Sequence, residues 1–118
     1  MRGVWLAVGW AMVAAVVWLS LTPSPPKADF EASDKVGHVL GYGVLMFWFS
    51  QLYSGRARML YGTGFAAMGI ALEFAQAALG YRMYDVFDMY ANAVGVLAGW
   101  AAAVLFPAVL PGGRALKR

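Results

Sequence analysis

Four long apolar segments follow one another along the chain, separated by short polar stretches. They cover residues 4–21, 36–53, 59–79 and 86–110. A helix needs roughly 20 apolar residues to cross the hydrocarbon core of a bilayer, and each segment is close to that length. Transmembrane strands are shorter and alternate in polarity, which these segments do not. The pattern predicts an all-α membrane protein, one domain of residues 1–118 built as a bundle of four transmembrane helices.

The composition favours lipid over water as the surrounding solvent. Of the 118 residues, 62% are hydrophobic and 13% are charged, whereas a soluble domain carries about 25% charged residues. The net charge of +3 comes from basic residues at the segment ends, without a basic patch interleaved with aromatic rings, so nucleic acid is not an expected partner. The absence of cysteine excludes disulfides and thiolate metal sites.

The first segment has two interpretations, a cleaved signal peptide and a helix that stays in the protein. Its apolar run exceeds the roughly 7 to 15 residues of a signal-peptide core. The sequence that follows, residues 22–28, is rich in proline and offers no small-x-small cleavage site. We therefore expect an uncleaved helix that ends at the prolines, followed by an extended loop.

Basic residues in the short loops predict the orientation, because they favour the cytoplasmic side of a membrane. Six lie on one side of the predicted bundle: Arg2, Arg56, Arg58, Arg114, Lys117 and Arg118. Three lie on the other side: Lys27, Lys35 and Arg82. Both termini are therefore expected in the cytoplasm, and the basic tail of residues 111–118 is expected to be frayed.

Small residues recur at four-residue spacing in three of the segments. The sets are Gly37 with Gly41, Gly95 with Gly99, and Ala67 with Ala71 and Ala75. Such stripes let helices approach closely in lipid. Two interpretations stay open, tight packing within one bundle and association into a homo-oligomer.

The acidic residues all fall on the predicted outer side or in the outer half of the membrane. They are Asp29, Glu31, Asp34, Glu73, Asp85 and Asp88, and the single histidine, His38, shares that side with Gln76, Arg82 and Asn92. Residues three or four apart share a helix face, so these groups form one polar stripe on each of three helices. A lone carboxylate in lipid is costly, so the stripes are expected to face one shared, outward-facing cavity.

Glu73 and His38 are the candidates for catalysis. A desolvated Glu73 can titrate near neutrality and act as a general acid or base, and His38 can be its partner or a metal ligand. Arg82 and Lys35 can hold a phosphate such as a lipid head group. The candidate ligand-binding residues are Asp34, Lys35, Gln76, Arg82, Asp85, Asp88 and Asn92. The alternative is that the same groups pair across helices and only fasten them together, and the residues alone leave enzyme, binder and metal dependence open.

Three motifs in this outer half resemble the VanZ-like family. They are Asp34-Lys35-x-x-His38, Glu73-x-x-Gln76, and Arg82 followed by Asp88-x-x-x-Asn92-x-x-Gly95. They occur in the family's order, and the resemblance covers essentially the whole chain. It implies a bacterial multi-pass protein of the plasma membrane.

The family's namesake is associated with low-level resistance to teicoplanin, a glycopeptide that binds cell-wall precursors outside the membrane. We therefore expect a cell-envelope protein that binds or modifies a lipid-linked anionic molecule, such as a cell-wall precursor, at the outer leaflet. Membrane lipids are the expected partners, and an effect on glycopeptide susceptibility is part of this expectation. The alternative is a non-catalytic structural or scaffold subunit whose polar residues fasten the helices.

Overall fold

The computed structural model of the protein describes residues 1–22, 33–80 and 85–118. Within these ranges the chain is all-helical, with four α-helices and no strand, which confirms the predicted fold class at that level. The helices are α1 (Arg2–Leu21), α2 (Ser33–Leu52), α3 (Gly55–Ala78) and α4 (Val86–Leu105), and a 3-10 helix follows at Gly113–Leu116.

Helix ends differ from the apolar segments where charged residues or prolines intervene. α2 and α3 each begin several residues before the predicted segment, because their first turns carry charged side chains that hydropathy does not count. α4 ends at Leu105 and not at the predicted residue 110. Pro107 explains this, since proline lacks an N–H and disfavours helical geometry in the residue before it.

Two of the four helices, α1 and α4, are long and apolar enough to cross a membrane, judged by length and composition over the described ranges. Core helices of soluble proteins and signal sequences satisfy the same criterion. α2 and α3 do not meet it, since each carries several charged and amide side chains. The structure therefore gives a helical protein with two candidate membrane-spanning helices.

The bundle has a small apolar core and a large apolar exterior. Tyr42, Leu45, Met46, Phe49, Phe65 and Val96 form the central buried cluster. Large hydrophobic side chains are nevertheless exposed on every helix, among them Trp18 on α1, Leu40 on α2, Phe74 on α3 and Leu97 on α4. Among the residues of α1, Gly9 is the buried one. Exposed apolar surface on this scale marks a surface that contacts lipid or another protein.

α2 and α4 pack backbone against backbone through glycines. A Cβ added at Gly95 would lie 2.5 Å from the carbonyl oxygen of Val39, and one added at Gly99 would overlap the carbonyl oxygen of Gly43. Gly95 and Gly99 thus serve packing within one bundle, one of the two predicted uses of small residues. Their partner on α2 is Gly43, which the four-residue spacing did not indicate.

The other two small-residue sets are only partly covered within the bundle. No described atom lies within 4 Å of a Cβ added at Gly37, and at Gly41 the nearest is a Val16 methyl carbon at 4.0 Å. Ala67 and Ala71 are exposed. Gly41 and Ala75 are half-buried, so both interpretations of these two sets stay open. Their use in a homo-oligomer stays a prediction.

The C-terminal tail is folded against the bundle, so the prediction that it frays is wrong. Leu110 and Leu116 are buried against Leu52 at the end of α2. The Arg118 N–H donates to the Leu52 carbonyl at 3.0 Å, and the Arg2 Nε donates to the Leu116 carbonyl at 2.8 Å. Hydropathy missed this because the ordering comes from main-chain hydrogen bonds and two leucines in an otherwise basic stretch.

Basic residues crowd this end of the bundle. The guanidinium of Arg58 donates to the carbonyls of Ser50 and Tyr53, which lie at the C-terminal end of α2. Burial lowers the pKa of Lys117 below its usual value, and the positive charges of Arg58 and Arg114 lower it further. We call this the basic end.

Candidate functional site

The opposite end of the bundle collects the polar groups, and we call it the polar end. It comprises Asp34, Lys35, His38, Glu73, Gln76, Asp85, Asp88 and Asn92. Because successive helices run antiparallel, the starts of α2 and α4 meet the ends of α1 and α3 there. Glu73, Asp88 and Asn92 are at most 2% exposed. The predicted convergence of three polar stripes is therefore present in the described residues.

Lys35 lies among three carboxylates. Its Nζ donates to Asp85 Oδ2 at 2.7 Å and to Asp88 Oδ1, and lies 3.7 Å from Asp34 Oδ2. Asp88 is buried, whereas Lys35 and Asp85 are each 38% exposed at the side chain. The ammonium thus sits at the rim and compensates a charge that lies inside. Lys35 was predicted to contact an anionic ligand, but in the structure its charge is engaged by α4.

His38 joins α2 to α4 through Asn92. The Nδ1 of His38 lies 2.8 Å from Asn92 Oδ1. Because an amide oxygen only accepts, Nδ1 carries the proton. The other nitrogen, Nε2, faces Asp34 Oδ1 at 3.7 Å and Asp88 Oδ2 at 3.8 Å.

A glycine on α3 makes room for the Asn92 side chain in the polar end. A Cβ added at Gly69 would lie 2.6 Å from Asn92 Nδ2, so a larger residue on α3 would push the amide away. The sequence does not single out Gly69, because its role depends on the register between α3 and α4. The available signal was its place one helical turn before Glu73.

Glu73 ties the end of α3 to the start of α4. Its Oε1 accepts from the backbone N–H of Asp85 at 2.9 Å. Asp85 in turn caps α4, since its Oδ1 accepts from the Phe87 N–H at 2.9 Å. Glu73 is the predicted buried acid, and the described contact gives its carboxylate a hydrogen-bond donor.

Gln76 connects the polar end to α1. Its Nε2 donates to the Ser20 carbonyl at 2.6 Å, near the end of α1. The Ser20 hydroxyl donates back to the Val16 carbonyl within the same helix. Gln76 was predicted as a ligand-binding residue, and the structure places it as a link between α3 and α1. The contribution of Ser20 was not predicted, because every residue has a backbone carbonyl and the sequence does not show which one accepts.

Four predicted residues lie outside the described ranges. They are Lys27, Asp29, Glu31 and Arg82. Among them Arg82 matters most, since it was the predicted contact for an anionic group. Its prediction rests on the sequence.

One subset of the polar end has the make-up of a cation site. Asp34, His38 and Asp88 each offer a ligand atom, and these atoms lie within 4.8 Å of one another. Carboxylate oxygens with an imidazole nitrogen are a ligand set that divalent metals accept.

Comparison with family models, curated proteins and solved structures gave no match. The resemblance to the VanZ-like family therefore rests on its motif residues.

Proposed function

We propose that the chain is a multi-pass protein of the bacterial plasma membrane that binds a lipid-linked anionic molecule at the outer leaflet through its polar end. The observation that carries this is the burial of Glu73 and Asp88 on two different helices, inside a bundle whose exterior is apolar. Burying a charged carboxylate is costly, and within membranes such groups mark functional sites by default.

The membrane setting is supported by the distribution of apolar side chains. α1 is apolar and carries exposed side chains along its whole length, with Gly9 as its one buried residue, which would be unfavourable in water along a 20-residue helix. α2 and α3 carry their charges near their ends, so their middle turns can lie in lipid. The basic end would face the cytoplasm and the polar end the outside.

The chemistry of the ligand follows from which charges remain available. In the described polar end, four carboxylates stand against Lys35 and His38, and Lys35 is already paired. An anion therefore needs further positive charge, for which Arg82 is the predicted source. Glu73 and His38 would orient the bound group, or carry a proton if the molecule is modified as well as bound. Cell-wall precursors and membrane phospholipids both carry the phosphate that such a site would hold.

A structural role is the second candidate, and a specific observation favours it. The described contacts of the polar end join all four helices: Lys35 and His38 link α2 to α4, Glu73 links α3 to α4, and Gln76 links α3 to α1. Such links alone would fasten a scaffold subunit.

Native mass spectrometry of gently extracted protein separates the two candidates. We expect a stoichiometric phosphate-bearing lipid on the wild type, and its loss from Glu73→Gln, which keeps the side-chain shape but removes the charge. Gln51→Leu is the matched control, since it removes a buried amide at the basic end that bonds the Phe106 carbonyl and the Val109 N–H. Folded protein without bound lipid in all three forms would support the structural candidate.

A further inference from the structure

We propose that Asp34, His38 and Asp88 form a binding site for a divalent transition-metal ion of the Mn²⁺ or Zn²⁺ class. The three residues come from the first two turns of α2 and the first turn of α4, and the contact between Gly43 and Gly95 holds these helices close together. Metal binding goes beyond the proposed function and is testable without any lipid.

The spacing of the ligand atoms is close to that of a metal centre. His38 Nε2 lies 3.7 Å from Asp34 Oδ1 and 3.8 Å from Asp88 Oδ2. Atoms bound to one ion at about 2.1 Å lie roughly 3.0 to 3.4 Å apart. The two His38 distances exceed this range by a few tenths of an ångström, and all three ligand atoms lie within 4.8 Å of one another, so a closer approach of Asp34 and Asp88 would bring them onto one ion. The same distances exceed the ordinary length of a hydrogen bond between imidazole and carboxylate.

The histidine is oriented by a hydrogen bond at its other nitrogen. Its Nδ1 donates to Asn92 Oδ1, which turns Nε2 toward both carboxylates. Metal-bound histidines commonly have their second nitrogen fixed by an oxygen acceptor in this way. Asn92 is itself 2% exposed and held against Gly69, so the ring orientation is preset.

The carboxylates of Asp34 and Asp88 each face Lys35 with one oxygen and His38 with the other. Asp88 presents Oδ1 to Lys35 and Oδ2 to His38, and Asp34 presents Oδ2 to Lys35 and Oδ1 to His38. The ammonium therefore occupies one side of the carboxylate pair, and the proposed ion would occupy the other. Lys35 then acts as a positioning residue, which holds both carboxylates without blocking the oxygens that face His38.

The ligand types indicate the class of ion. Two oxygens and one imidazole nitrogen suit Mn²⁺ and Zn²⁺ better than Ca²⁺, which prefers oxygen ligands throughout. Three protein ligands leave positions for water or for a phosphate oxygen. Asp34 is 44% exposed at the side chain, so an ion would reach the site from that side.

The test uses untagged, chelator-treated protein titrated with Mn²⁺, with the free ion followed by electron paramagnetic resonance and Zn²⁺ used in competition. We expect one ion per wild-type chain and binding weakened at least about tenfold in Asp34→Asn and His38→Gln. Gln51→Leu is the control: it removes a buried amide at the basic end, away from the three ligands, and its affinity is expected to stay close to wild type.

Absence of a stoichiometric ion on the wild type would overturn the proposal, and so would equal affinity in all four proteins. Asp34 is the most exposed of the three ligands, so Asp34→Asn gives a folded variant even if His38→Gln loses stability. Failure of the proposed function is distinguishable, because a chain that binds Mn²⁺ but carries no lipid retains this site.

Discussion

Lys35 and Asp88 form an ion pair in which the cation is 38% exposed and the anion is 1% exposed. The pair joins the first turn of α2 to the first turn of α4, at the end of the bundle where the other described acids also lie. A buried carboxylate needs a compensating partner, and a long lysine side chain can supply it from the rim. The polar end is thus a buried anionic layer closed by a cation near its surface.

Removing the lysine should destabilise the bundle. We expect Lys35→Met to lower the free energy of unfolding by about 1–3 kcal/mol, because Asp88 stays buried with less compensation. The measurement is thermal unfolding of detergent-purified protein. Arg114→Met is the control, since Arg114 is an exposed cation at the basic end and its loss should change stability little. Equal effects of the two substitutions would show that the ion pair of Lys35 and Asp88 makes no specific contribution to stability.

The glycines between α2 and α4 give a second prediction, with a control on the same helix pair. Gly99→Ala should destabilise the protein by about 1–3 kcal/mol, because the new methyl group would overlap the Gly43 carbonyl and force the helices apart. Gly37→Ala meets no described atom within 4 Å and should stabilise α2 by roughly 0.5–1 kcal/mol through helix propensity. Paired melting curves check both signs. A destabilised Gly37→Ala would instead indicate that this face contacts a second chain.

The folded tail gives a third prediction. Leu116 is 5% exposed and packs against Leu52, so Leu116→Ala should cost about 2–3 kcal/mol and make the last residues accessible to carboxypeptidase. Leu105→Ala is the control, because Leu105 is 73% exposed and its truncation removes little packing. A tail digested equally fast in wild type and Leu116→Ala would contradict the folded arrangement.

The glycine beside Asn92 gives a fourth prediction. Gly69→Ala should displace the Asn92 amide and thereby release His38, because the new methyl group would lie 2.6 Å from Asn92 Nδ2. We expect the His38 ring protons to broaden and shift in nuclear magnetic resonance spectra. Gly64→Ala, on the same helix with no described atom near the added carbon, should leave them unchanged. Unshifted His38 ring-proton resonances in Gly69→Ala would show that the position of Asn92 does not depend on the missing side chain at Gly69.

Sequence periodicity predicted which residues share a helix face, and the polar end was predicted on that basis. Asp34 and His38, like Asp88 and Asn92, are one turn apart, so their convergence followed from the helices and from short antiparallel connections. Periodicity within one helix does not set the register between helices. For that reason the pairing of Lys35 with α4, and of Gln76 with the Ser20 carbonyl, became visible only in the folded chain.

The apolar pattern gave the helices but not their ends or their surroundings. The run through residue 110 continued past Leu105 because hydropathy does not register the proline that stops α4. The order of the tail depends on Leu116, the Arg118 backbone and Arg2, which are distant in sequence. Such contacts form only when the whole bundle is folded, so no local sequence pattern predicts them.

The central claim is that the helices cross a membrane with the polar end outside. Cysteine labelling in intact cells tests it, using Ser24→Cys in the first loop and Ser54→Cys between α2 and α3, in a chain that has no native cysteine. An impermeant maleimide is expected to label Ser24→Cys in intact cells and Ser54→Cys only after the membrane is opened. Labelling of Ser54→Cys alone in intact cells would place the polar end inside, and labelling of both or neither would contradict the four-helix crossing.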